Sequence, residues 1–251
     1  MSRPFPRALD LGTPGPQIAE VLRRRPERFL VRTAPLQESA GPALSIVADE
    51  EALPFAAASF DLIASALSLQ WANDLPGVLV QLRRALAPDG LFLAALVGGQ
   101  SLTELRTALT AAEADLTGGA SPRVAPFADV RDLGGLLQRA GFALPVTDIE
   151  PIIVRYPSMF ALMQDLRAMG ATNALVERSR LPLRRAVLMR AADIYAARFA
   201  DPDGRLRATF DIVWLSGWAP HESQQKPLAP GSARTRLADA LNAREEKLPR
   251  D

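Results

Sequence analysis

The sequence predicts an α/β fold, a mainly parallel sheet covered by helices on both faces. Two observations predict it. Short apolar runs alternate with segments of helical period through the first half of the chain. The first run, Ala8-Leu9-Asp10-Leu11, breaks at Gly12 into a loop that opens a helix, as a nucleotide-type domain begins. At 251 residues the chain suits one domain of ordinary size with a substantial core.

The elements follow in order. Arg7–Leu11 reads as strand one, and Gln17–Arg25 as a helix with Ile18, Val21 and Leu22 on one face. Between them, Gly12-Thr13-Pro14-Gly15-Pro16 holds prolines where further glycines would let the backbone close on a ligand. Proline fixes φ and supplies no N–H. Phe29–Thr33, Leu44–Ala48 and Phe60–Ser65 are the next strands. Asp74 caps a helix with Pro76 in its first turn and Val78, Leu79, Leu82 and Leu86 on its buried face. Pro88-Asp89-Gly90 is a turn into strand five, Leu91–Val97.

The second half is more helical. Ser101-Leu102-Thr103-Glu104 reads as a capping box for a helix carrying Leu102, Leu105, Leu109, Ala112 and Leu116. A loop over Gly118–Phe127 leads to a helix ending near Gly141. Val146–Val154 is a strand, Pro157–Gly170 and Leu183–Phe199 are helices, and Ala208–Trp214 is the last strand. The boundaries expected are a domain over 1–219, with a helical insertion at about 155–200, and a polar tail over 220–251.

Composition excludes several classes. Lys and Arg total 29 against 28 Asp and Glu, so no single-sign field argues for nucleic-acid binding. The absence of cysteine removes disulfides, thiolate catalysis and cysteine-ligated metals. One histidine, His221, rules out sites needing two from a single chain, and no metal site is expected. No apolar run reaches the roughly 18 residues of a membrane span. Strand one begins so early that no signal or transit peptide is expected ahead of it.

Ligands in such sheets bind beyond the carboxyl ends of the strands. Gly12–Pro16, Asp49 and Leu67–Trp71 should therefore converge on one crevice. Asp49, just after strand three, can accept a hydrogen bond from an adenine amino group, or it is a solvated acidic turn. Trp71 offers a flat wall and Gln70 an amide, although a tryptophan here can equally be core. A general base at His221 is conceivable, but a lone histidine in a polar loop is more often a surface residue. No catalytic residue is assigned.

Several stretches together resemble one family. They are ADEEALPF (48–55), SLQWANDLP (68–76), APDGLFLAALVGGQSLTELR (87–106), SPRVAPFADVRDLGGLLQRAGF (121–142), YPSMFALMQDLRAMGATN (156–173) and GWAPHESQQKPLAPGSA (217–233). The chain resembles class I S-adenosylmethionine-dependent methyltransferases. More closely, it is similar to the mitochondrial complex I assembly factor five family and its bacterial relatives, which are related to the malonyl-acyl-carrier-protein O-methyltransferase of biotin synthesis. The last stretch favours the assembly-factor branch, whereas Gln70 and Gly170-Ala171-Thr172 look more like the biotin-type enzyme.

The resemblance implies a Rossmann-like seven-stranded methyltransferase sheet, mostly parallel, with the last hairpin antiparallel. It implies S-adenosyl-L-methionine as cofactor and a protein substrate or complex I subunit as partner. Location would be cytoplasmic or peripheral at the inner membrane. Carried over by position, Asp10, Gly12 and Gly15 would lie at the methionine end of the cofactor. Thr33 falls where the ribose-binding acid is expected, Asp49 and Glu50 lie at the adenine, and Leu67 lies beside them. Gln70 and Trp71 would sit near the methyl group, with Arg106, Asn173, His221 and Gln224 on the substrate side.

Three departures weaken that implication. Prolines interrupt the Gly-x-Gly-x-Gly pattern, no carboxylate occurs in Arg32-Thr33-Ala34, and the short stretch ahead of strand one is not expected to form the helical segment the family carries there. Losing the ribose carboxylate and the glycine loop costs about 1–3 kcal/mol each. Together that is a roughly 30-fold to 10⁴-fold loss of affinity. Three readings stay open: a methyltransferase with a degenerate cofactor loop, acting on a protein or on a carboxyl group; a non-catalytic assembly factor; and a protein-arginine hydroxylase.

Overall fold

The computed structural model describes residues 4–25, 28–36, 44–176 and 178–225. β1 (Arg7–Leu11) is buried at every position after Arg7, as its apolar run requires. It lies between β2 (Phe29–Ala34) and β4 (Phe60–Ala66), parallel to both. β3 (Leu44–Val47) flanks β2, and β5 (Leu86–Gly98) flanks β4. β6 (Ala143–Tyr156) and β7 (Leu206–Trp218) complete the sheet, whose order is β3-β2-β1-β4-β5-β7-β6. β7 is antiparallel to both neighbours. The mostly parallel sheet with its antiparallel last hairpin is thus as expected.

The helices are α1 (Gln17–Arg23), α2 (Leu75–Ala85), α3 (Thr103–Thr117), α4 (Val130–Arg139), α5 (Met159–Ala168) and α6 (Arg185–Phe199). Asp74 caps α2 by accepting from Gly77 N at 2.9 Å. Val78, Leu79 and Leu82 of α2 and Leu133 and Leu137 of α4 share one core with β1, β4 and β5. A second core joins α3 to the inserted helices α5 and α6, around Ala108, Ala112, Leu162, Ala191 and Tyr195. Each buried leucine or valine contributes about 1.5–3 kcal/mol, and this core draws on β6 and β7 through Tyr156, Leu206 and Ala208.

Several details differ from expectation for tertiary reasons. Ser101 does not cap α3. Its hydroxyl donates to Gly98 O and accepts from Asp211 N, while the buried Glu104 accepts from Thr209 N. β7 has taken the local capping groups, and Leu102 enters the helix at φ 56° instead. Leu86 is buried but begins β5, because Pro88 and the left-handed Asp89 end the helical path. Val21 and Leu116 lie on apolar stripes yet are half exposed. β6 and β7 run past both expected ends, and Pro151 is accommodated because β6 is an edge strand. The tail expected over 220–251 lies outside the described residues beyond 225.

Candidate functional site

The carboxyl ends of β1, β3 and β4 open into a cleft of about 480 Å³. Gly12, Pro14, Asp49, Glu50, Ser68 and Trp71 line it, together with Leu67 and, from the end of α5, Gly170. Polar and apolar walls in that volume suit a small amphipathic ligand. A second cleft of about 450 Å³, between α1 and β4–β5–β7–β6, is walled almost entirely by apolar groups such as Val21, Leu93, Val146 and Trp214. It offers little with which to orient a reacting group.

The glycine loop is pinned from behind. Arg32, opposite Asp10 in the β1–β2 register, is buried and donates to Thr13 O at 2.7 Å and to Gly15 O. Its Nε lies 3.3 Å from Asp10 Oδ2. Asp10 is fully buried, and among the described residues no group gives either oxygen a well-formed hydrogen bond, so charge holds it. Burial raises the Asp10 carboxyl above its ordinary range, opposed in turn by the nearby Thr13 hydroxyl, the Arg32 guanidinium and the Ala19 backbone. The Thr13 hydroxyl accepts from Ala66 N at 3.1 Å, tying the loop to β4.

Gly12 stands at φ 62°, where a side chain is strained. Its N–H is already committed to Thr33, at 3.1 Å to the carbonyl and 3.2 Å to the hydroxyl. With Pro14 and Pro16 lacking N–H groups, the loop has few donors left for an anionic ligand end.

The acidic side of the cleft is better equipped. Asp49 is exposed and accepts from Glu51 N at 2.9 Å, which sets the carboxylate at the rim. Glu50 crosses the cleft to accept from Ser68 Oγ at 2.7 Å. Glu51 also lines the cleft and accepts from Asn73 Nδ2 and Asp74 N, securing the loop that carries Trp71. Leu67 is left-handed at φ 54°, a strain of about 1–2 kcal/mol for a residue with a Cβ. The turn swings the chain off β4 so that Ser68 meets Glu50 and Trp71, 45% exposed, forms a wall.

The structure therefore brings together Gly12, Asp49, Glu50, Leu67 and Trp71 of the residues singled out by sequence. Asp10 and Thr33 are buried beneath the loop, and Gly15, an exposed residue of the loop itself, lies outside the cleft lining. Gln70 donates to Leu67 O at 2.8 Å and lies outside the cleft lining. Arg106 donates to Ser101 O and Ala125 O. Asn173 donates to Pro122 O at 2.6 Å beside a separate crevice of about 80 Å³. His221 and Gln224 belong to a second unit, 221–251, where His221 N donates to Gln224 Oε1 at 3.2 Å and His221 Nδ1 meets Ser223 Oγ at 2.7 Å. Arg32, Thr13 and Ser68 were missed by sequence reasoning. The signal for Arg32 was a cation inside a buried apolar run, one strand away from Asp10. Among the described residues no three His, Cys, Asp or Glu side chains gather to hold a metal ion.

Comparison with known proteins agrees with this geometry. A family model described as a methyltransferase domain matches residues 10–94, the stretch from Asp10 through most of β5. The arginine-hydroxylase NDUFAF5, mitochondrial, of Danio rerio is 43% identical over 246 residues, covering 95% of this chain and 76% of that protein. Its Homo sapiens counterpart is 43% identical over 241 residues, covering 92% and 69%. The chain belongs to the NDUFAF5 family. The malonyl-[acyl-carrier protein] O-methyltransferase of Laribacter hongkongensis is a more distant relative, 40% identical over 190 residues and covering 76% of this chain and 61% of that one. A putative methyltransferase from Bacillus halodurans superposes with a TM-score of 0.57 at 12% identity, covering 86% of this chain and 93% of that chain, and shows the shared fold. The NDUFAF5 family thus carries a methyltransferase fold, and this member carries it with a glycine loop tied down by Arg32.

Proposed function

We propose that this NDUFAF5-family chain serves the assembly of respiratory complex I by acting on an arginine-bearing subunit. We also infer that its cleft binds S-adenosylmethionine, or a ligand of the same nucleoside class, at reduced affinity. The observation carrying the second part is the cleft itself, with Asp49 and Glu50 facing Trp71 across the ends of β1, β3 and β4. Asp49 has an oxygen for a base amino group, and Trp71 a flat apolar face. The relatives' names support the first part, since they are called arginine hydroxylases and mitochondrial. When bound, S-adenosylmethionine supplies an electrophilic methyl group on a sulfonium. Asp49, Glu50 and Trp71 would hold and orient the nucleoside, with Gly170, just beyond α5, in the same cleft lining.

A second reading is an assembly factor without catalysis. The observation favouring it is the state of the glycine loop: Gly12 N–H is spent on Thr33, two prolines have none, and two loop carbonyls face Arg32. No helix among the described residues is long and apolar enough to cross a membrane. Residues 1–219 are taken as the working domain and 220–251 as a tail.

Cells that make this chain are expected to lose assembled complex I when it is deleted, and to regain it from a plasmid copy. Rescue by wild type but not by Asp49→Ala, read on native gels, supports an assembly role that uses the cleft. Equal rescue by both favours the second reading, and normal complex I in the deletion strain removes the assembly role altogether.

A further inference from the structure

At the end of β2 the side chain is Thr33, buried and engaged with Gly12 N, so β2 offers no carboxylate to a ligand. Glu50, which follows β3, reaches instead to Gly12 and Ser68. A Cβ built on Gly12 would stand 2.0 Å from Glu50 Oε1 and 2.3 Å from Ser68 Oγ. The carboxylate therefore rests directly on the bare face of Gly12, within the cleft and half buried. Among the described residues, the hydrogen bond to this carboxylate is the one Oε1 accepts from the Ser68 hydroxyl.

We propose that Glu50 is the acceptor for a vicinal diol of the ligand, the chemistry of a ribose, and that its bond to Ser68 holds it over Gly12 until the diol replaces that hydroxyl. The proposal rests on the nucleoside reading given above. Two hydroxyls on neighbouring carbons present two donors at the spacing of carboxylate oxygens, and an ionised acceptor makes the stronger class of hydrogen bond. Swapping one serine hydroxyl for two ligand hydroxyls leaves the half-buried carboxylate better satisfied. Glu50 then selects ligands that carry the diol, while Asp49 and Trp71 address the base.

The test is calorimetric titration of wild type, Glu50→Gln and Glu50→Ala with S-adenosylhomocysteine, adenosine and 2′,3′-dideoxyadenosine. Glu50→Gln keeps an acceptor for Ser68 and removes the charge, so thermal unfolding checks that its fold is intact. The expected result is a loss of about 10-fold to 100-fold for the diol ligands with both variants. The dideoxy ligand should bind wild type and variants alike. Wild-type binding of S-adenosylhomocysteine that neither variant alters overturns the assignment of Glu50 and leaves the nucleoside reading standing. An equal loss for diol and dideoxy ligands overturns it too, showing that Glu50 acts on the cleft's shape. No wild-type binding at millimolar ligand overturns both.

Discussion

Replacing Arg32 by methionine is expected to lower stability by about 3–5 kcal/mol, the cost of leaving a buried charge without its partner. For a chain of this length that is a fall in Tm of roughly 6–20 °C. Methionine keeps the stem volume, so the loss reports on charge and on the bonds to Thr13 O and Gly15 O rather than on a cavity. The pH dependence identifies the cause. Burial already raises the Asp10 carboxyl, and removing the cation at 3.3 Å raises it further. A carboxyl whose folded pKa lies above its unfolded value favours the fold below the unfolded pKa. It loses that contribution as pH climbs through the folded pKa. The deficit of Arg32→Met against wild type should therefore be narrowest below about pH 4 and widen toward neutrality. Asp10→Asn added to Arg32→Met should recover part of the loss at neutral pH. Chemical denaturation across pH checks this, and a small deficit unchanged by pH would mean that the pair carries little charge in the fold.

Gly12→Ala is expected to cost about 1–2 kcal/mol from the left-handed backbone alone, or roughly 2–8 °C in Tm. The larger effect falls on the cleft. The new methyl would lie 2.0 Å from Glu50 Oε1 and 3.0 Å from Ser68 Cβ. The carboxylate is the end of a flexible side chain and swings away, breaking its bond to Ser68, whereas the serine Cβ is fixed to the backbone beyond β4. Binding of S-adenosylhomocysteine should vanish while the protein stays folded at room temperature. Retained binding in a folded Gly12→Ala protein would show that the ligand does not approach this face of the loop.

Much of the fold was legible because the strands are short, apolar and set off by turn residues. β1 through β5 follow from that pattern, and the antiparallel place of β7 from resemblance. What misled was local chemistry overruled by distant contacts. Ser101 and Glu104 have capping-box spacing, but β7 passes close enough to claim both side chains. Val21 and Leu116 have the right helical phase, yet among the described residues no element covers them fully and both are half exposed. In the site, the meeting of Asp49 and Trp71 was legible because topology sends the ends of β3 and β4 to one crevice, whereas Glu50 came only with the resemblance. Arg32 was not, since its role depends on a cross-strand register that places it against Asp10 and under the loop. The prolines take two N–H donors from the loop. The structure adds that Gly12, the glycine retained, spends its N–H on Thr33.

The most direct test of the cleft is calorimetric titration of the purified chain with S-adenosylhomocysteine and S-adenosylmethionine, alongside Asp49→Ala. The account predicts saturable binding with a Kd of about 100 µM or tighter, lost in the variant. No heat up to millimolar ligand would contradict it and leave this chain an assembly protein that keeps the fold without the cofactor.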